Sequence, residues 1–527
     1  MLNLTKSHDP RKNEALLGQI TGKQLDMKEA LQETERLFQE CLAKTPEPVL
    51  VKKQKYPIPF TQKAGELLFR PFSKPAILPE PCKLYVDSKG NVYPDWLDKL
   101  NREFLQLEKM VIKEVNVADY GAVGDGRTDC TAAFNKAIGK GKVKVVVPKG
   151  VFITHGIQLP SWTWLSGTGK GTTTLKLHSD ADKGTRQITN ASHWRGNHHI
   201  IVEGLSLDWN VERLGNDSKT STWGNHSSCL TFANVTYGWI RDVEAINPGL
   251  HGIDISSTLY NYAGDGRRAR GGSKYVWVDN VTSCGFGDDG ITTHHSDYIL
   301  ISHSHLCDPS GRAHRKGFSN SNGIEIDDGS QNVVLVNNST ARCFGGVEIK
   351  AHQNSSAASN IQIAGHLSVN DNRSFNFRHI GHHKLEDPES KTAFNIMATN
   401  LVSIGPVCTN LYKDSKPRGL VVSSYKNVVI NHFTAIGEPH YNYAGGPVAA
   451  IQYRARNVIL NQLFFKNFTT AESGIKVFGG PNRADSVCIQ NVEAADSNFQ
   501  IISTGSGLKD VKMKTIKPTR EAVLPRR

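Results

Sequence analysis

From about residue 198 the chain repeats a two-part unit, and that repeat narrows its possible folds more than any other feature. The first part is an alternating apolar strand, often opened by Asn, as in SQNVVLVNNSTARC, ASNIQIAGHLSVN, YKNVVINHFTAIG and ARNVILNQLFFKN. The second part is shorter and begins with small residues: HGIDIS, DGITTH, NGIEID and GGVEIKA. Asn332 and Asn360 stand 28 positions apart, as do Asn457 and Asp485. A single alternating strand cannot bury both its faces, whereas stacked coils share one continuous interior. The pattern predicts an all-β fold, a right-handed parallel β-helix, with a small α-helical N-terminal region.

That N-terminal region covers residues 1–112. GKQLDMKEALQETERLFQECLAK is rich in helix formers, with Leu25, Leu31, Leu37, Phe38 and Leu42 at loosely helical spacing. Pro46, Pro48, Pro57, Pro59, Pro71, Pro75, Pro79 and Pro81 then make a connector without long helices. Next, Leu97, Leu100, Phe104, Leu107 and Met110 form one stripe, which predicts a short amphipathic helix that caps the core or contacts another copy. The expected division is an attachment and oligomerisation region over 1–112, a β-helix over 113–510 and a basic tail over 511–527. The tail holds Lys512, Lys514, Lys517, Arg520, Arg526 and Arg527.

A net charge of +12 favours an anionic partner. Nucleic acid is not expected, because zinc-finger spacing, RNA-binding strand motifs and a basic helix are all missing. Nine cysteines with no CxxC pair read as reduced thiols made in a cytoplasm. MLNLTKSHDPRKNE has no apolar signal core and no long uncharged apolar run follows, so neither a secretory signal nor a membrane partner is expected.

Stacking makes the repeat readable column by column. Aligning Gly252, Gly290, Gly323 and Gly346 turns Ile253, Ile291, Ile324 and Val347 inward, with Ile255, Thr293, Ile326 and Ile349. Asp254, Thr292, Glu325 and Glu348 then share one outward column, and Ser256, His294, Asp327 and Lys350 the next. His251, Asp289 and Asn322 precede the glycines, with Asp288 adjacent, and the following coil adds Asn376 and Arg378. Coils sit about 4.8 Å apart, so these carboxylates are expected to crowd one solvent-facing ladder. Stacked like charges destabilise a sheet, and that cost points to function. Asp288, Asp289, Glu325 and Asp327 are the candidate catalytic set, because glycoside hydrolysis needs one carboxyl that keeps its proton and another that activates water. Lys350, Glu348, His251, Asp254, His294, Asn322 and Arg378 are the candidate substrate-binding residues. The plainer alternative is an exposed row neutralised by Lys350, Arg378 and histidines. No cofactor is required, but the same oxygens, Asp327 and Asp328 above all, could hold a divalent cation such as Ca²⁺. His294, His295 and Asp297 offer a second metal alternative.

Two resemblances carry the reading further. DYGAVGDGRTDCTAAF, VPKGVF and WLSGTGKGTTTLKL resemble the opening of pectin-lyase-like β-helices, where that segment supplies an end-capping helix and the first coils. GFGDDGI and GGVEIKA resemble polygalacturonases, which implies Asp288 as acid, Asp289 as a water-holding residue and Lys350 as a substrate contact. His251, Asn322 and Glu348 depart from that pattern, replacing an Asp, a His and an Arg. An acid at 348 would repel a uronate, which puts galacturonan in doubt as substrate. DDGITTHHSDYILI, SNGIEIDDGS, GGVEIKAH, RHIGHHKLEDP and VAAIQYRARNV resemble the pre-neck appendage or tail-spike proteins of Bacillus phages over roughly 280–460. That resemblance implies a homotrimer on the virion, joined to other tail proteins, that degrades a bacterial cell-wall glycopolymer such as teichoic acid.

Two enzyme chemistries are open: an inverting glycosidase and a teichoic acid phosphodiesterase. A non-catalytic receptor-binding β-helix and a polysaccharide lyase with Arg378 against a uronate are the alternatives. In a binding role Trp194, Trp209, Trp223, Trp239 and Trp277 would stack on sugar faces.

Overall fold

The computed structural model describes all residues except 1, 23–24, 45–59, 217–218, 223–225, 260–263, 384–386, 498 and 519–527. Pro46, Pro48, Pro57, Pro59, Trp223, Arg520, Arg526 and Arg527 lie outside the described residues. Among the described residues a long sheet of 19 strands and a shorter one of 12 strands wind together as a right-handed parallel β-helix that begins at Lys113. Strands in both sheets pair in parallel with the corresponding strand of the next coil.

The turns are set by residues that tolerate left-handed backbone. Asn332, Asn360, Asn395, Asn427 and Asn457, with φ between 54° and 67°, open successive long strands. Their amides stack: Asn395 Nδ2 donates to Asn360 Oδ1 at 2.8 Å, Asn427 to Asn395 at 3.0 Å and Asn457 to Asn427 at 2.7 Å. A second left-handed column (Asn337, Gly365, Asn400, His432, Gln462 and Asn491) bends each long strand in its middle. Asn adopts this conformation at less cost than most residues, which is why it punctuates the repeat.

The interior is the predicted apolar column: Ile255, Ile326, Ile349 and Phe377 are fully buried. Helix α5 (Thr131–Ile138) buries Ala133, Phe134, Ala137 and Ile138 in this core, Phe134 meeting Phe152 edge-on at 6.1 Å.

The N-terminal helices lie along the outside of the long sheet. Leu17 of α1 (Asn13–Thr21) packs with Leu4 on Leu367, Val369 and Val402. Leu37, Phe38 and Cys41 of α2 (Met27–Ala43) pack on Met397, Val429 and Ile459. Helix α3 spans Phe60–Phe69. Leu100 and Leu107 of α4 (Leu97–Met110) cover Ile201, Trp239, Leu300 and Val334. With both faces covered, the long strands read as nearly continuous burial.

Two expectations change here. The amphipathic stripe of α4 lies on the flank of the solenoid. Val511–Pro518 is no free tail, because it pairs with Asp485–Ala495 as a further strand of the long sheet. Val511 and Ile516 pack against the core and anchor the strand there despite its lysines.

Candidate functional site

The short sheet carries the ladder on Ile253–Ser256, Ile291–His294, Asn322–Asp327, Gly345–Ala351 and Arg373–His379. Register pairs Asp254 with Thr292, Thr292 with Glu325, Glu325 with Glu348 and Glu348 with Asn376. The next column aligns His294 with Asp327 and Lys350 with Arg378. These are the columns that the spacing of the repeat implies.

The solvent-facing ladder is corrected. Asp254, Asp289, His251, His294, Asn322, Glu325, Asp327, Asp328, Glu348 and Lys350 are all buried. Loops rise from both edges of the short sheet. Before the strands, the 308–321 loop meets the 406–417 loop through Ser319 N to Leu411 O and Lys413 N to Gly317 O, each 2.9 Å. After them, Gly266 N donates to Ser356 Oγ at 3.0 Å and Lys391 N to Asp265 Oδ2 at 2.6 Å. Lone repeats do not disclose where the longer loops fold.

Within these walls eight side chains close a ring. Asn322 Nδ2 lies 3.1 Å from Asp289 Oδ1 and 2.7 Å from Glu325 Oε1. Lys350 Nζ lies 2.7 Å from Glu325 and 3.8 Å from Asp327 Oδ2. His294 spans Asp327 at 3.7 Å and Asp254 at 3.6 Å. His251 spans Asp254 at 3.8 Å and Asp289 at 3.6 Å, completing the circuit. Asp288 stands at the rim, its side chain 16 % exposed, 3.7 Å from His251 and 2.7 Å from His314.

The ring separates the carboxylates chemically. Burial, then the charges of Asp288 and Glu325, push the Asp289 carboxyl well above its ordinary value. Its Oδ2 has no hydrogen-bond partner among the described residues. Burial acts in the same sense on Asp288, but His251 and His314 outweigh it and hold that carboxyl far below the usual range. Burial and Asp328 raise Asp327 to about 7. Asp254 is buried too, yet the two histidines hold it at about 2. Burial pulls His251 down, and Asp254, Asp288 and Asp289 reverse that, leaving it raised well above its usual value. Lys350 is likewise raised against burial, by Glu325 and Asp327.

The remaining expected residues divide. Glu348 is not a free anion: Arg378 Nε bonds its Oε1, and Asn376 Nδ2 donates to its Oε2 at 2.9 Å. The expected repulsion of a uronate by Glu348 is therefore removed by Arg378. Asp328 turns aside to His352, which donates its backbone N–H at 2.9 Å and places its ring Nδ1 at 3.1 Å. His294, His295 and Asp297 do not converge, since Asp297 is taken by Arg268 and Lys274. Two trios, His251 with Asp288 and Asp289 and His294 with Glu325 and Asp327, have donor atoms within 4.8 Å, close enough to share an ion. In each trio the carboxylates already face a histidine whose charged form they favour, and Lys350 stands beside the second. The tryptophans do not line the ring: Trp209 and Trp239 are buried, Trp277 donates to Ser302 at 2.9 Å beneath α4, and Trp194 is exposed. His314 and His352 escaped the sequence reading because both sit in loops outside the repeat columns.

Residues 114–348 match a family model described as rhamnogalacturonase A/epimerase, pectate lyase-like. A putative phage-related protein, YobO, of Bacillus subtilis strain 168 is 48% identical over 428 residues, 81% of this chain and 53% of that protein. The pre-neck appendage protein of Bacillus phage phi29 is 43% identical over 423 residues, 79% of this chain and 48% of that one. The crystal structure of the phage phi29 gene product 12 N-terminal fragment superposes with a TM-score of 0.71 at 42% identity, covering 77% of this chain and 66% of that one. The chain thus spans about half the length of the curated relatives it matches. Fold and ladder define a pectin-lyase-like parallel β-helix. Within that class, the chain belongs to the pre-neck appendage family of Bacillus phages.

Proposed function

We propose that this chain is the β-helical body of a phage appendage that binds a bacterial cell-wall glycopolymer in the walled groove and hydrolyses it at Asp288 and Asp289. The observation that carries this reading is the contrast between those two neighbours. Asp289, buried on Asn322 with one oxygen outside any hydrogen bond among the described residues, is pushed toward its protonated form and can hand that proton to a leaving oxygen. Asp288, ionised at the rim beside His314, can orient an attacking water and take its proton, which reverses the acid and water-holding roles that the polygalacturonase resemblance implies for the pair. Glu325, Asp254, Asp327, His251, His294 and Lys350 act through these two, by fixing their charge and orientation.

The names of the phage relatives support a virion location; the same reading takes other tail proteins and two further copies of this chain, in a homotrimer, as partners. The polymer in this reading is teichoic-acid-like or a polysaccharide, and no cofactor is required. A divalent cation such as Ca²⁺ belongs to the phosphodiester version of the reaction; with Asp328 turned to His352, Asp327 beside Glu325 and His294 is the carboxylate of the expected pair that could ligate it.

A receptor-binding β-helix without cleavage is the second reading. It is favoured by the closure of the ring, where the Asp254 and Asp327 side chains are 0% exposed. Mass spectrometry of wall polymer after digestion separates the readings. New reducing ends mark the glycosidase, phosphomonoester ends the phosphodiesterase and an unsaturated uronide the lyase. Polymer that is bound but intact would overturn hydrolysis.

A further inference from the structure

Beyond the acidic ring, the groove changes sign. A cavity of about 300 Å³ opens beside Arg378, lined by Arg373, Lys416, Arg418, His383 and Tyr453 among others. Arg373 and Arg418 are register partners on adjacent coils, and both side chains line this cavity. Like charges placed directly opposite destabilise a sheet unless something neutralises them. Arg378 is already matched by Glu348. Neither Arg373 nor Arg418 has a carboxylate within ion-pair distance among the described residues. Arg373 Nε is buried without a hydrogen-bond partner there, and Arg418 Nη1 donates to the Pro417 carbonyl at 2.7 Å. Asp414 also lines the cavity, one acid against four cations.

We propose that this pocket is an anion subsite, in which Arg373 and Arg418 hold a charged group of the bound polymer, a phosphodiester or a carboxylate. The inference rests on the reading of the groove as a polymer-binding cleft and specifies the polymer as anionic. Guanidinium forks suit both groups, since each offers paired oxygens to parallel N–H donors. His383 lies in the same wall, stacked on Tyr453 at 4.7 Å. Burial and Arg378 hold that imidazole down at about 4, so at neutral pH it contributes hydrogen bonding without adding charge. Burial and Arg373 bring Arg418 down to about 10, against a smaller opposing pull from Glu472. The subsite begins on the coil after Lys350, so a polymer lying along the solenoid reaches it from the acidic ring in two or three coil steps, about 10–14 Å.

The test uses the full chain and two readouts. In the first, phenylglyoxal modifies surface arginines with and without inorganic phosphate, and peptides are mapped by mass spectrometry. Phosphate should protect Arg373 and Arg418 selectively, whether or not the protein is an enzyme. Equal modification with and without phosphate would overturn the subsite. In the second, Arg373→Gln and Arg418→Gln are compared with wild type on oligo(glycerol phosphate) and oligogalacturonate. Each variant should raise KM or Kd for one of these by about ten-fold or more, and the one affected identifies the phosphodiester or the carboxylate as the natural group. Unchanged affinity for both would contradict the proposal. If a variant fails to fold, phosphate protection of the wild type decides alone. Protection without any cleavage would leave the subsite standing while removing the hydrolase.

Discussion

Lys350 neutralises two buried acids, facing Glu325 at 2.7 Å and Asp327 at 3.8 Å. Removing one member of a buried ionic network leaves its partners uncompensated. Lys350→Met should therefore lower unfolding free energy by about 3 kcal/mol, read by denaturant titration. The histidines and acids of the ring also set the pH response. Asp254 is depressed to about 2 from the usual 3.8, so its stabilisation is complete above pH ~4 and is lost as pH falls toward 2. His251 is raised, so its contribution is complete below about pH 6.5 and is lost as pH climbs through its folded value. Asp289 and Asp327, both raised, also favour the fold at the acidic side. Melting temperature should be higher at pH 5 than at pH 8, with His251→Asn flattening the alkaline limb. A flat profile in the wild type would contradict the ring. The acids were legible in the sequence because the repeat assigns each to a column. Their pairing with His251 and His294 was not, because spacing fixes a column but says nothing of which groups share a proton.

At the scale of elements, the short-sheet register follows the glycine alignment, since one slip would turn Ile255, Ile326 and Ile349 out of the core. Ile326→Ala should cost about 3 kcal/mol by leaving a cavity between coils, again measured by denaturant titration. What the alternation could not disclose is the outer cover of the long sheet. Val334, Val429 and Ile459 face outward, and helices α2 and α4 bury them. The helical stripes around Leu37 and Leu100 were visible, but which surface they cover depends on loop paths that no local pattern encodes. If α2 docks as a separable element, Phe38→Ala should speed amide exchange across Met27–Ala43 and leave the interior coils protected. Uniform loosening of the coils would instead make α2 part of their cooperative unit.

For the whole molecule, stability comes from stacking, with no covalent staple: all nine cysteines are free. A reductant should leave the melting temperature unchanged, and a drop would reveal a disulfide. The charge of +12 acts at this scale too, and binding to an anionic wall polymer should weaken steeply with salt. In the proposed function Asp288 and Asp289 perform hydrolysis in a groove built by the solenoid. The most direct test of that proposal is wall-polymer digestion by the wild type beside Asp288→Asn and Asp289→Asn, with binding measured in parallel. Each substitution should lower turnover at least ~100-fold while the polymer still binds. Equal turnover in all three proteins would contradict the account, and would move the chemistry away from this pair.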